Sequence, residues 1–215
     1  MKKRTKTPSR KRTALRQLMA LVLAVLLASA LGMYGFLPVQ AVRQLADIED
    51  VEHPRIVHRF YDGRLPVTRF GLFHLVEGDR SVMVGLTGWH LLMGWYGHTY
   101  ASIETWEDAA LHAGFYIHTQ DGETMAFFYG KIEDDSICRL TAELRAHPDE
   151  EDAVDQRIEL TEDAIFERNG ERYFIAPVEW EEDFPEWVRD TFLTGTDADG
   201  NVVQTVEATA VQWST

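Results

Sequence analysis

Short runs of β-branched and aromatic residues, separated by turn residues, make up most of the chain after position 55. In the clearest case, residues 164–175, Asn169-Gly170 separates two such runs, and both residues can adopt the positive φ angles that a type I′ turn requires. The pattern predicts a β-hairpin here. It predicts two more hairpins, over 115–132 around Asp121-Gly122 and over 191–206 around Asp199-Gly200.

Weaker strand signals surround these three hairpins. We expect two strands joined around Asp62-Gly63, a turn at Glu77-Gly78-Asp79, and further strands over 137–144 and 157–160.

Helix signals in this part of the chain are few. Thr105 is a candidate N-cap for a helix over 106–113, with Gly114 as its end. A second short helix is expected over 185–192.

These elements predict a mainly β (α+β) fold, an antiparallel sheet or sandwich of several hairpins with one or two short helices, preceded by a single N-terminal transmembrane helix. The chain of 215 residues is long enough for one such domain. We expect four segments: a basic N-terminus (1–16), an apolar segment (17–41), a polar linker or short helix (42–54) and an acidic β-rich domain (55–215).

The N-terminal apolar segment carries the strongest signal in the sequence. No charged residue occurs from Gln17 to Val42, and the stretch from Leu18 to Leu37 matches the roughly 20 residues that a spanning helix needs. Eight Lys and Arg residues precede it, which favours a cytoplasmic N-terminus and an extracytoplasmic bulk. The segment therefore predicts a signal anchor, with the membrane as a partner and a single-pass localisation in the cell membrane.

Cleavage of this segment is the alternative. Glycines at 32 and 35 and Pro38 interrupt the apolar run, and Val39-Gln40-Ala41 is similar to a signal-peptidase site. In that case the chain is secreted after cleavage near Ala41.

Charge narrows the choice of partners. All 35 acidic residues lie after position 41, together with only 13 of the 21 basic ones, because eight precede it; the formal net charge of this part is −22. Such a domain repels phosphate backbones, so nucleic acid is not an expected partner. Cys138 is the only cysteine, which excludes an intramolecular disulfide, and its apolar neighbour Ile137 predicts a buried thiol.

The densest aromatic stretch is GWHLLMGWYGHTY, residues 88–100. One interpretation is a ligand-binding surface for a sugar, a peptide or a cell-wall strand, formed by Trp89, Trp95, Tyr96 and His98. The other is sheet core, because large apolar residues occupy both alternating sets of positions, as in a strand covered on both faces. We favour the core, but place any ligand site here.

Motifs of catalysis and metal binding are missing. The sequence has no HExxH, no G-x-S-x-G, no P-loop and no G-x-G-x-x-G, so no catalytic residue, metal ligand or cofactor is predicted. Residues 196–201, TDADGN, are similar to a calcium loop, but Gly195 and Val206 would fill its first and last ligand positions. A hairpin turn is expected instead.

One segment has a family likeness. Residues 127–144 combine Gly130-Lys131-Ile132, the acidic pair Asp134-Asp135 and Ile137, and Gly94-Trp95-Tyr96-Gly97-His98 lies upstream. In these features the middle third of the chain resembles small, uncharacterised, membrane-anchored or exported proteins of Gram-positive bacteria. The resemblance implies a β-rich surface protein and supplies no catalytic residue.

The expected function is therefore that of a membrane-anchored extracytoplasmic domain without catalytic activity, acting as a binding, sensor-accessory or cell-envelope protein with a protein or envelope partner. The alternative is an extracytoplasmic hydrolase that acts on envelope polymers through carboxylates or histidines brought together by folding.

Overall fold

A computed structural model describes residues 10–30, 35–60, 71–91, 94–120, 123–145, 156–160, 162–178 and 190–214. Within these residues the elements are two helices, thirteen strands and a 3-10 turn. In chain order they are α1 (Arg10–Ala30), α2 (Pro38–Ile48), β1 (Arg55–Phe60), β2 (Gly71–Glu77), β3 (Ser81–His90), β4 (Gly94–Glu104), β5 (Leu111–Gln120), β6 (Glu123–Ile132), β7 (Arg139–Arg145), β8 (Gln156–Leu160), the 3-10 turn (Glu162–Ala164), β9 (Ile165–Arg168), β10 (Glu171–Pro177), β11 (Asp190–Thr196), β12 (Val202–Glu207) and β13 (Thr209–Ser214).

The strands form three sheets. The first sheet has the order β1-β2-β3-β4, the central sheet β13-β5-β6-β10-β9, and the third sheet β12-β11-β7-β8. Neighbouring strands are antiparallel except β13, which pairs in parallel with β5. The predicted mainly β fold with antiparallel pairing is therefore confirmed, with one parallel pair added.

The central sheet is buried on both faces. Along β5, Phe115 packs in a core shared with the third sheet, and its neighbour Tyr116 packs in a core shared with the first sheet. The alternation continues on β6, where Phe127 faces the first sheet and Phe128 the third. The described domain is thus layered, with the central sheet in the middle.

Helix α2 covers the outer face of the first sheet. Its residues Val42, Leu45 and Ala46 share a small core with Val76 and Met83 of β2 and β3. The region 42–54, expected as a linker or short helix, therefore begins inside a helix that packs on the β domain.

Close packing under α2 depends on two glycines. A Cβ atom at Gly97 would lie 2.5 Å from Leu45 Cγ, and one at Gly85 would lie 3.0 Å from Leu45 Cδ1. The Leu45 side chain thus packs directly against the backbone of these two glycines in β3 and β4. This contact determines the position of α2 on the first sheet.

The predicted hairpins are present. The β9–β10 turn has Asn169 and Gly170 at φ 57° and 83°, as the Asn-Gly signal requires. The β11–β12 turn is closed by Asp197, whose Oδ1 accepts hydrogen bonds from the backbone N–H groups of Asp199 and Asn201 at 3.0 and 2.8 Å. At the β2–β3 turn, Gly78 N donates to Ser81 O at 2.8 Å. The β1–β2 and β5–β6 pairs also form, but Asp62-Gly63 and Asp121-Gly122 lie outside the described residues.

The helix predicted over 106–113 is wrong. Residues 105–110 form a turn, and β5 begins at Leu111. The backbone N–H groups of Ala110 and Leu111 donate to Gln204 Oε1 of β12, at 2.6 and 3.0 Å. Alternating burial on two sheet faces outweighs the local capping signal at Thr105.

The helix predicted over 185–192 is also wrong where it can be compared. Residues 190–192 belong to β11, and 185–189 lie outside the described residues.

The N-terminal segment differs from its expectation. Helix α1 ends at Ala30, and residues 31–34 lie outside the described ones, so the stretch from Leu18 to Leu37 is not found as one helix. Within the described residues, no helix combines the length and the apolar character needed to cross a membrane.

The contact between Leu45 and Gly97 gives a first prediction. We expect Gly97→Ala to lower the free energy of unfolding by about 1–3 kcal/mol, because the added methyl group overpacks the site. Combining it with Leu45→Ala should cost less than the sum of the two single changes, since the second change removes the clash. Urea unfolding of the four proteins measures this coupling, and additive losses would contradict it.

Candidate functional site

The predicted aromatic stretch forms the end of the β3–β4 hairpin. Trp89 lies directly opposite Trp95, and Gly88 lies opposite Tyr96. A β-bulge between Leu86 and Thr87 shifts the register, so that Leu86 opposes Thr99 whereas Thr87 opposes Gly97. The extra residue on β4 is His98.

The four predicted ligand-binding residues do not share one surface. Gly97 lies under Leu45 of α2, on the outer face of the first sheet, so strand alternation places Trp95 and its partner Trp89 on that face too. Tyr96 and His98 instead point toward the central sheet. The hairpin therefore divides the predicted site into two halves.

The inner half is a polar aromatic cluster between the first and central sheets. The His98 ring meets the His118 ring edge-on, with centroids 5.5 Å apart, and Tyr96 lies 6.1 Å from His98 on the other side. Beside them, the hydroxyl groups of Thr99 and Tyr116 form a hydrogen bond. Burial lowers the pKa of His98, so its ring is neutral near pH 7. His98 Nδ1 is buried with no hydrogen-bond partner among the described residues.

The outer half is exposed at the hairpin end. Trp89 is 49% exposed and Leu91, which follows β3, is 72% exposed. The backbone N–H of Trp95 donates to the carbonyl of Gly35 at 2.7 Å, which ties the segment before α2 to the hairpin. Residues 92 and 93 of the predicted stretch lie outside the described residues.

A second polar centre, which the sequence did not predict, surrounds Lys131 on β6. At the same register, His112 of β5 and Tyr173 of β10 flank this lysine on its two sides. The Lys131 side chain is only 12% exposed, and its Nζ lies near three carboxylates: Glu77 at 3.1 Å, Glu133 at 2.9 Å and Glu171 at 3.1 Å.

Arg55 and Tyr173 complete this cluster. The Arg55 guanidinium pairs with Glu77 and, at 2.6 Å, with Glu171. The Tyr173 hydroxyl donates to Glu171 Oε2 at 2.9 Å. We call these six residues the Lys131 cluster: Arg55, Glu77, Lys131, Glu133, Glu171 and Tyr173. It links β1 and β2 of the first sheet with β6 and β10 of the central sheet.

The electrostatics of the Lys131 cluster favour the charged forms of Lys131 and Glu171. Burial disfavours the charge on Lys131, but hydrogen bonds to Glu133, Glu171 and Glu77 outweigh it and raise the lysine pKa. Partial burial also acts to raise the pKa of Glu171, but Lys131 and Tyr173 outweigh it, so that the net pKa is lowered. A general acid needs a raised carboxyl pKa, and the lowered pKa of Glu171 does not provide one. The arrangement is that of a clamp between two sheets.

One signal for this cluster was present in the sequence. Lys131 follows the apolar run Phe127-Phe128-Tyr129-Gly130 inside a predicted strand, and a charged residue in such a place requires a partner. Its partners Glu77 and Glu171 lie far away along the chain. The pairing of β10 with β6 brings Glu171 to the lysine, and the stacking of the first sheet on the central sheet brings Glu77.

His74 on β2 is a buried histidine with a defined tautomer. The Thr87 hydroxyl donates to Leu72 O at 3.2 Å, so at its 3.1 Å contact with His74 Nε2 it accepts. Nδ1 is then the unprotonated nitrogen, and it is buried with no hydrogen-bond partner among the described residues. Burial and, secondarily, the positive charge of Arg59 lower the pKa of His74 to about 4.

Other candidates from the sequence are placed as follows. Within the described ranges, no group of three or more His, Cys, Asp or Glu side chains is positioned to hold a metal ion. Cys138 is exposed, contrary to the buried thiol expected, and its Sγ–H donates to Ser136 O at 3.3 Å. At the calcium-like turn, Asn201 Nδ2 donates to Asp197 Oδ2 at 3.0 Å, so the turn itself uses this carboxylate.

A shallow groove of about 230 Å³ lies between α2 and β1. Val42, Ile56 and Val76 form apolar parts of its lining, and Arg43 and Arg59 contribute the only charged side chains among the lining residues. It contains none of the predicted site residues.

Comparison with known proteins adds no relative: no protein-family model, curated protein or solved structure matches the chain. The likeness to membrane-anchored proteins of Gram-positive bacteria therefore stays a prediction, and function has to be inferred from the geometry.

The Lys131 cluster gives a second prediction. We expect Lys131→Met to lower the free energy of unfolding by roughly 3 kcal/mol, because it leaves the buried Glu77 and its neighbours with one cation fewer. Arg157→Met is the matched control: Arg157 also pairs with a glutamate, Glu143, but its side chain is 66% exposed, so the loss should stay below about 1 kcal/mol. Urea unfolding at pH 7 measures both, and equal losses would rule out the clamp.

His74 gives a third prediction. Its folded pKa of about 4 lies below the value of 6.5 in the unfolded chain, so the unfolded state takes up the proton first as the pH falls. The stability that a neutral His74 provides is complete above pH 6.5 and is lost between there and pH 4.

Between pH 7.5 and 5 this amounts to about 2 kcal/mol. Between these two pH values, the free energy of unfolding of His74→Gln should fall by about 2 kcal/mol less than that of the parent chain. Urea unfolding at both pH values measures this difference. Parallel losses in the two proteins would show that His74 is not the responsible group.

Proposed function

We propose that the chain is a membrane-anchored extracytoplasmic domain without catalytic activity that binds a partner at the cell envelope. The apolar stretch that begins at Leu18 and precedes α2 is its anchor, with the basic residues before it in the cytoplasm. The layered β domain lies on the outer side.

The observation that carries this proposal is the contrast between α1 and the rest of the chain. The apolar side chains of Leu18, Met19, Leu21 and Leu23 are each more than half exposed, whereas the large apolar residues of the β domain are mostly buried. An apolar helix without a protein partner is unfavourable in water and favourable in lipid. Basic residues in the first turns of α1, the last of them Arg16, directly precede its apolar part and fit the orientation of a signal anchor.

The packing around α2 favours retention of the anchor over cleavage. A cut after Ala41 would fall within the first turns of α2 and remove Gly35, whose carbonyl accepts the hydrogen bond from Trp95. Ala41 itself is fully buried. A mature chain starting at Val42 would therefore lose contacts that hold α2 on the first sheet.

The charged groups support a binding role over hydrolysis of envelope polymers. A hydrolase with paired carboxylates keeps one of them protonated. In the Lys131 cluster, Glu77 and Glu171 share Arg55 and Lys131, and the pKa of Glu171 is lowered, which favours its ionised form.

Fractionation with intact-mass measurement tests the anchor. When the chain is expressed in a bacterial host, it should be found at full length in the membrane fraction. In a separate assay, a protease added outside the cytoplasmic membrane should degrade its β domain. A soluble chain starting near Val42 would contradict the anchor and favour a secreted protein.

A pair of variants sharpens this fourth prediction. Leu23→Arg should reduce the membrane-bound fraction, because a charge near the centre of an inserted helix costs about 3 kcal/mol. Val202→Arg makes the same kind of change at an exposed apolar residue of β12 and should leave the fractionation unchanged. Equal behaviour of the two variants would contradict anchoring by α1.

A further inference from the structure

Four large apolar side chains are exposed at one place on the β domain. Leu91 and Trp89 at the end of the β3–β4 hairpin are 72% and 49% exposed, and Leu37 and Phe36 before α2 are 57% and 44% exposed. We call these four residues the apolar rim. Elsewhere on the described β domain, the exposed large apolar residues Ile48, Trp106 and Val202 are far apart in the sequence.

The two halves of the apolar rim are joined by backbone contacts. Gly35 forms a β-bridge with Gly94, and its carbonyl accepts the Trp95 N–H. A Cβ atom at Gly35 would clash with the Trp95 backbone, so only glycine allows this approach. Specific backbone contacts thus hold the two halves of the apolar rim together.

Gln40 holds the second half in position. Its side-chain Oε1 accepts hydrogen bonds from the backbone N–H groups of Phe36 and Leu37, at 2.7 and 3.1 Å. These two residues therefore have a fixed backbone at the start of α2, which itself packs on the first sheet.

The apolar rim is continuous with the anchor along the chain. Gly35 follows Ala30, the last residue of α1, by five positions, and five residues span at most about 18 Å. If α1 lies in a bilayer, the rim is held within that distance of the place where the chain leaves it.

From these observations we infer that the apolar rim rests in the interfacial layer of the membrane that holds α1. This inference relies on the proposed anchor. Tryptophan favours the boundary between headgroups and acyl chains, which suits the half-exposed Trp89, and Leu91 extends further into the apolar layer. The acidic domain is repelled by anionic lipid, so we expect an apolar contact that is stronger on zwitterionic than on anionic membranes. The rim then fixes the orientation of the β domain on the membrane.

A fluorophore at position 91 tests the inference. In the full chain carrying Cys138→Ser, Leu91→Cys is labelled with an environment-sensitive dye and reconstituted into phosphatidylcholine vesicles. The matched control carries Val202→Cys, whose parent residue is 64% exposed on β12 of the third sheet. We expect blue-shifted emission and several-fold stronger quenching by nitroxide lipids at position 91 than at position 202, with a smaller difference when phosphatidylglycerol is added.

Each other outcome overturns the inference in a recognisable way. Vesicle-bound protein with equal water exposure at both positions would leave the anchor valid and reject the rim contact. A dye at position 91 that is shielded from aqueous quencher but not quenched by nitroxide lipid would indicate that a protein covers the rim. Failure of the chain to float with the vesicles would reject the anchor and the rim contact together.

Discussion

Burial of the central sheet on both faces is the constraint on which the rest of the structure depends. A sheet that is apolar on two sides needs two covering layers, and the first and third sheets supply them. Side chains that alternate along β5 and β6 therefore belong to different cores, and a register slip of one residue would exchange them. The outer face of the first sheet is in turn covered by α2. Each layer is therefore stabilised by the layer packed against it.

Polar groups inside this stack define its geometry more sharply than apolar packing can. The Lys131 cluster connects the first and central sheets at one point, because its charges are satisfied only when Glu77 and Glu171 both reach the lysine. A shift of one sheet against the other would leave these charges buried without partners, which is strongly destabilising. His98 and His118 meet in the same interlayer. The polar residues between these two sheets therefore help to align the sheets with each other.

The sequence predicted features that depend on neighbouring residues better than features that depend on residues far apart along the chain. Asn169-Gly170 predicted its hairpin because the conformational requirement is local. The stacking of three sheets, the parallel pairing of β13 and the Lys131 cluster depend on contacts between residues far apart, and no local pattern encodes them. At Thr105 the local signal was present and misleading, since burial on two faces decided the structure of the residues that follow. For the stretch 88–100, the dense aromatic content and the alternation of Trp95 and Tyr96 were visible, but the β-bulge at His98 was not.

The pairing of β13 with β5 also sets an order of events in time. Position 114 pairs with position 209, so the edge of β5 has no partner in the sheet until almost all of the described chain has been made. A chain that crosses a membrane in an extended form, from its N-terminus onward, would deliver this strand last among the described ones. One edge of β5 would then stay open until β13 arrives, and an open strand edge can pair with other chains.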